Sequence, residues 1–228
     1  MGRRVGLMIP SANTVMEPDF YRNVPADWTV HTSRMHLVDT TVAGESRMLD
    51  EYALPAALAL ATARPHVIVF GCTSAGSLRG NEYEDGLIDE ISSRTGIQTL
   101  SVMRCVREGL RRLGAERIAV ITPYVEELNE RIRASLEADG FEVVRIRGLQ
   151  IVPALDLAKV PVKRILDLAY ETLQGLAPDA LFVSCTNFPG MSALPDLRRE
   201  LDFPVTSSNQ IALERAIEAA EMQDTAPE

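Results

Sequence analysis

The chain has little with which to build a disulfide scaffold, a metal centre or a nucleotide site. Its three cysteines, Cys72, Cys105 and Cys185, make no CxxC and no paired framework, so neither a disulfide core nor a zinc site is indicated. Its three histidines, His31, His36 and His66, lack metal-ligand spacing; no metal is expected, and each reads as structural or solvated. No GxGxxG follows the first apolar run, and GCTSAG at 71–76 lacks the terminal Lys and Ser/Thr of a phosphate loop. A nucleotide cofactor is therefore not expected. Long apolar runs are missing too. Nothing approaches the roughly 18 residues of a membrane span, and the run Val5 to Ile9 breaks at Pro10, too short for a signal-peptide core. The formal charge is −9, with the Arg-rich stretches Arg104 to Arg117 and Arg145 to Arg147 interrupted by apolar and acidic residues, so nucleic acid and anionic membranes are poor partners. These absences together predict a cytoplasmic protein whose thiols are reduced and free to react.

What the chain does have is a repeat. RVGLMIP at 4–10 answers RIAVITP at 117–123, and HVIVFGCTS at 66–74 answers DALFVSCTN at 179–187. Pro10 and Pro123, Pro65 and Pro178, Cys72 and Cys185, and Thr73 and Thr186 are each 113 residues apart. At 228 residues there is room for one large domain or two small lobes, and a hydrophobic fraction of 46% with 24% charged residues is ordinary for a globular protein.

Short Val/Ile-rich runs alternate with stretches of helical period, the pattern of a parallel α/β sheet buried on both faces. Strands are expected at Val5 to Ile9, Thr29 to Met35, Val67 to Phe70, Gln98 to Val102, Ile118 to Ile121, Glu142 to Ile146, Leu181 to Ser184 and Pro204 to Thr206. Val125, Leu128, Ile132 and Leu136 form one apolar stripe, with Gly140 placed to cap the helix that carries them. Val162 to Leu176, Leu194 to Leu201 and Gln210 to Met222 read as helices, with Pro161 and Pro195 tolerable in a first turn. Pro55 inside Met48 to Ala63 means either a helix starting near Leu54 or a kinked one. The expected architecture is two pseudo-symmetric, Rossmann-like α/β lobes with parallel sheets. The first covers residues 1–115, with a C-terminal helix at about 208–228 returning to it, and the second covers 116–207. The ligand site belongs in the cleft between them, at the carboxyl ends of the strands.

Cys72 and Cys185 each end a buried strand and each precede Thr, a small polar residue and, within five positions, Gly76 or Gly190. Free cysteines are among the most buried residues, so either alone could be core. As a pair in register they place one sulfur on either side of a substrate, and backbone N–H groups in such turns favour a thiolate or a bound carboxylate. On that ground Cys72 is expected to titrate below the ordinary thiol value of about 8.5. Cys105 falls at helical spacing beside Val102 and Val106 and reads as core. PSANTVME at 10–17 offers Ser11, Asn13 and Thr14, either as a helix start capped by Asn13 or Thr14 or as donors to a ligand. Tyr124 follows Pro123 at the mouth of the cleft, as packing or as a phenol in the site.

PSANTVME together with FGCTSAG, ITPYVEELN, FVSCTNFPG and FPVTSSNQ resembles the aspartate/glutamate racemase superfamily over nearly the whole chain, in the branch of maleate cis-trans isomerases and arylmalonate decarboxylases. The resemblance implies two pseudo-symmetric lobes, no cofactor, a small carboxylate substrate and pairing of like chains into a homo-oligomer. It implies that Cys72 and Cys185 are the two catalytic thiols. It also implies that Thr73, Ser74 and Tyr124, with the backbone at Thr186 and Asn187, hold a substrate carboxylate, and that Asn13 contacts substrate beside Ser11. Decarboxylases of this kind have Gly where Cys72 stands, so two thiols point away from decarboxylation. Maleate isomerases of this kind carry Asn where this chain has Ala154, which leaves the acid itself open. Three readings stand at this point. One is a cofactor-independent isomerase taking maleate to fumarate. A second is a racemase of an amino or hydroxy acid, one thiol removing the α-proton and the other returning it. The third is a two-lobed binding protein without turnover.

Overall fold

A computed structural model describes residues 2–222. The first sheet contains β1 (Arg4–Pro10), β2 (Thr29–Met35), β3 (Val67–Phe70) and β4 (Thr99–Ser101), all parallel in the order β2-β1-β3-β4. The second contains β5 (Arg117–Thr122), β6 (Glu142–Gly148), β7 (Ala180–Val183) and β8 (Val205–Ser207), also parallel, in the matching order β6-β5-β7-β8. The α/β fold with two parallel sheets is therefore as expected, and the repeat explains why. Arg4, Thr29 and Val67 begin three strands of one sheet, and Arg117, Glu142 and Ala180, each 113 further on, begin the equivalent three of the other. Their central strands are buried along their length, as continuous apolar runs must be when helices cover both faces.

The helices are α1 (Met16–Asn23), α2 (Val42–Ala61), a short α3 (Thr73–Ser77), α4 (Asn81–Thr95), α5 (Val102–Arg112), α6 (Glu126–Ala138), α7 (Val162–Leu173), α8 (Gly190–Glu200) and α9 (Ser208–Met222), with a 3-10 segment at Ala154–Lys159. Two boundaries differ from the sequence reading. Helix α2 starts well before Met48, because the Thr41 side chain accepts the Gly44 N–H and caps it. Pro55 lies inside this helix on its exposed face, where the Glu51 carbonyl it leaves unbonded can turn to water. Helix α8 likewise begins at Gly190, so Pro195 is interior rather than in a first turn. Helix α9 packs against α5, β3 and α1 as well as α8 and β8. The remainder of the expected C-terminal helix, 223–228, lies outside the described residues.

The two sheets are joined by buried polar ties. Arg107 of α5 bonds both Glu84 of α4 and Asp139 at the end of α6, each at 2.7 Å. Asn81 Oδ1 accepts from Ser135 Oγ of α6 at 2.6 Å. The segment after β2 is also stitched to the segment after β6, with Thr40 N–H bonded to Val152 C=O at 2.8 Å and Ala154 N–H to Val38 C=O at 2.9 Å. Gly148 allows the second of these segments to approach, since a Cβ there would lie 2.2 Å from the Tyr124 carbonyl oxygen. Among the described residues no helix is long and apolar enough to cross a membrane.

Candidate active site

The carboxyl ends of the central strands of both sheets converge on one pocket, lined by Cys72, Ser74, Cys185, Thr186, Asn187, Asn13 and Tyr124, with Pro10, Leu37, Thr40, Glu45, Ala154 and Leu157 completing the wall. Both thiols therefore face the same space, from opposite lobes. The pocket is tight in this state, with only about 20 Å³ free, room for roughly one water. An acid enters only if the wall gives.

Each thiol has a backbone N–H and a hydroxyl beside it. Cys72, at the N-terminal end of α3, receives the Ala75 N–H and lies 3.8 Å from Ser74 Oγ. Cys185 receives the Asn187 N–H at 3.2 Å and the Tyr124 hydroxyl. Those donors do not decide the ionisation. Burial pushes Cys185 up to about 12 and Cys72 well above its ordinary value, the latter further opposed by Glu45. The expectation of a Cys72 thiol below about 8.5 is thus corrected: backbone dipoles are outweighed by loss of water and by an acid that sequence proximity did not reveal. Burial, together with the nearby thiols and Glu45, also raises Tyr124, so it stays a neutral donor. Cys105 is buried in the core apart from the pocket.

Cys185 has φ of +113°, a backbone conformation that side-chain-bearing residues avoid. It is held there by Ser208. The Ser208 Oγ accepts the Cys185 N–H at 3.1 Å and the Thr73 hydroxyl at 2.9 Å, tying both cysteine turns to the start of α9. Strain of this kind, worth roughly 1–3 kcal/mol, persists only where surroundings over-determine it, and it concentrates at functional positions.

The remaining residues expected in the site divide into two groups. Asn13 lines the pocket and also starts α1: its Oδ1 accepts from Val15 and Met16 N–H, while Nδ2 donates to Thr186 Oγ1 at 3.0 Å. Cap and site residue are thus one side chain. Thr186 passes its own proton to the Gly71 carbonyl at 2.9 Å, and Asn187 spends its amide on Ala12 O and Ala154 O, so both act largely as ties between lobes. Ser11 and Thr73 are not among the lining residues. Ser11 Oγ is engaged with the Leu37 backbone and Thr73 Oγ1 with Ser208, which turns each away from the pocket. Thr14 keeps only a backbone bond, its N–H to Asn187 Oδ1 at 2.9 Å.

Sequence reasoning missed Glu45, Thr40 and Ser208. Glu45 is fully buried, accepts a 2.5 Å hydrogen bond from Ser74 Oγ, and is pushed up to about 8 by desolvation. A signal for it existed, because Glu45 shares helical spacing with Met48, Leu49, Ala53, Ala56 and Ala57, the inward stripe of α2. The histidines stand apart from the pocket: His66 Nδ1 accepts the Arg4 N–H and His36 packs against Tyr52. Among the described residues no cluster of side chains could hold a metal ion.

Comparison with known proteins converges on one group. The family model described as arylmalonate decarboxylase matches residues 5–228. A maleate isomerase of Nocardia farcinica (strain IFM 10152) is 30% identical over 217 residues, covering 90% of this chain and 85% of its own. An arylmalonate decarboxylase of Bordetella bronchiseptica is 27% identical over 218 residues, covering 95% of this chain and 90% of its own. Among solved structures, a cysteine-to-serine variant of the Nocardia farcinica maleate cis-trans isomerase, with a covalently bound succinylcysteine intermediate, superposes with a TM-score of 0.87 at 27% identity, covering 97% of this chain and 94% of that one.

Proposed function

The chain belongs to the arylmalonate decarboxylase family, and from that premise we propose that it is a cofactor-independent, two-cysteine isomerase of a small unsaturated dicarboxylate, converting maleate to fumarate. The observation that carries the reading is the pair of thiols from opposite lobes lining one pocket. A decarboxylase needs one proton donor; two thiols can work on adjacent carbons.

In the proposed reaction the ionised fraction of Cys72, its thiol proton released to solvent, forms an S–C bond to one alkene carbon. The π electrons move toward the neighbouring carboxylate, which holds them as an enediolate against a neutral donor such as Tyr124. The Cys185 thiol gives its proton to the second carbon. The former double bond is now single and rotates. Cys185 then takes the proton back, the S–C bond breaks, and the alkene re-forms as the trans acid with Cys72 again a thiolate. No oxidant or reductant is consumed. Asn13 and the backbone around Thr186 and Asn187 complete the proposed substrate contacts.

Proton NMR of maleate with the purified enzyme tests this directly. Fumarate should accumulate, Cys72→Ala should abolish it, and Cys185→Ser should leave a succinyl adduct on Cys72 that peptide mass spectrometry locates. Geometry with one thiol on each side of a carbon also suits a racemase. In deuterated water that activity would label the α-carbon of a saturated acid while leaving alkenes untouched, and such a result would overturn the isomerase reading. A ligand that binds with no conversion in any of these experiments would instead indicate a binding protein.

A further inference from the structure

Two pocket residues with no part in the reaction above each have a side-chain oxygen without a hydrogen-bond partner. Glu45 accepts from Ser74 through Oε1, while its Oε2 is buried and unbonded; Thr40 Oγ1 is buried and unbonded as well. Both residues line the pocket, together with Leu37, Ala154 and Leu157, none of which has a polar side chain. A buried polar atom without a partner costs on the order of 1–3 kcal/mol, so two of them facing one small space mark a place for a ligand group.

The charge of that group follows from what surrounds it. No Lys, Arg or His lines the pocket; the ionisable groups facing Glu45 are Cys72 on its own lobe and Cys185 and Tyr124 on the other. A dicarboxylate in such a site must be held by neutral donors alone. An ionised Glu45 would repel both the substrate and the Cys72 thiolate. Desolvation raises Glu45 to about 8, which keeps it protonated near neutral pH. Because Oε1 is the atom that accepts from Ser74, the acid proton belongs on Oε2, the atom left free. A carboxylic acid kept neutral by its surroundings is a hydrogen-bond donor.

We propose that Glu45, as a neutral acid, and Thr40 together donate hydrogen bonds to the second carboxylate of the substrate, the one remote from the enediolate, and so determine selectivity for dicarboxylates over monocarboxylates. The inference rests on the isomerase reading for the identity of the acid, but its test needs no turnover. Binding of maleate and of isocrotonate, which has a methyl in place of one carboxylate, is measured by titration calorimetry in the Cys72→Ala background. There Glu45 is the group expected to titrate between about pH 7 and 9.5, with both acids fully ionised. The maleate Kd should rise through pH 8 by up to about tenfold per pH unit, while the isocrotonate Kd stays flat. Added Glu45→Gln retains a neutral donor and should remove the pH dependence with about threefold or smaller change at pH 7. Glu45→Leu or Thr40→Val should weaken maleate by about tenfold or more and leave isocrotonate unchanged. The proposal is overturned by a maleate Kd independent of pH, by Glu45→Gln as damaging as Glu45→Leu, or by equal losses for both acids. Tighter binding above pH 8 of an acid bearing an ammonium in place of the second carboxylate would overturn it too. Isomerisation by the intact enzyme combined with any of these sinks this inference alone; no binding of maleate at all sinks it together with the isomerase reading.

Discussion

Replacing Ser208 with alanine should damage the rate more than the fold, and the size of each effect can be worked from its two hydrogen bonds. Ser208 is fully buried; alanine would orphan the Cys185 N–H and take the partner from the Thr73 hydroxyl. A buried donor left unmade costs about 1–3 kcal/mol and a lost neutral hydrogen bond about 1, giving roughly 2–4 kcal/mol before relaxation. Relaxation is available, because Cys185 at φ +113° is itself strained. Letting it fall back toward a common conformation returns part of about 1–3 kcal/mol, so a net loss of about 1–3 kcal/mol is expected from urea unfolding followed by circular dichroism. The same relaxation swings the Cys185 sulfur off the Tyr124 hydroxyl. A displacement near 1 Å at the proposed proton donor should lower kcat by about a hundredfold, which the fumarate signal in proton NMR measures. If stability falls by that amount while kcat stays within about threefold of the parent, Ser208 does not hold the Cys185 conformation and the reasoning fails.

Two further outcomes follow from buried charge. Arg107→Met leaves Glu84 and Asp139 without their shared cation and should cost about 3–5 kcal/mol by the same unfolding assay; a change below about 1 kcal/mol would show that the pair is not closed in solution. Cys72, an acid whose pKa is raised in the folded state, should be protonated near pH 7 and become reactive only as pH climbs past the ordinary thiol value. Iodoacetamide labelling of the ligand-free enzyme should therefore be slow near neutrality and still rising above pH about 9. Glu45→Gln, which removes the opposing charge, should speed it there, and a labelling profile that saturates below about pH 8.5 would contradict the burial argument.

How much of this was legible beforehand depended on whether the signal was carried by side-chain pattern or by backbone shape. The strand runs and the spacing of 113 between halves located three strand pairs and both cysteines, since apolar continuity is itself the cause of strand burial. The repeat breaks at the fourth pair: Thr99 and Val205 are 106 apart, and nothing in the composition of either short strand marks the change. The early start of α2 was hidden because Val42, Ala43 and Gly44 carry no helical period; only Thr41 as a cap betrays it. Positive φ at Cys185 could not be read at all, because the residue that imposes it, Ser208, lies in another element and looks like an ordinary helix start. Ser11 and Thr73 were plausible donors as residue types, but a short hydroxyl side chain satisfies whichever backbone or hydroxyl is nearest, and that neighbour is set by the tertiary fold.

The repeat also makes its own departures informative. Around each sulfur the halves supply like parts, a backbone N–H and a hydroxyl. Glu45 has no such counterpart. The position 113 residues on is Ala158, in the 3-10 segment that replaces the start of a long helix in the second lobe, and the equivalent of Thr40 is Pro153. Two unbonded polar atoms thus belong to first-lobe residues of the pocket, and the residues at the equivalent second-lobe positions, Ala158 and Pro153, have no polar side chain. A racemase gains from symmetry, because two bases must reach one carbon from mirror-related directions. Rotation about a carbon–carbon bond demands the reverse, one end of the acid gripped while the other turns. Matched sulfurs beside unmatched polar groups give the pocket two unlike ends, and the asymmetry at Glu45 and Thr40 favours rotation over inversion.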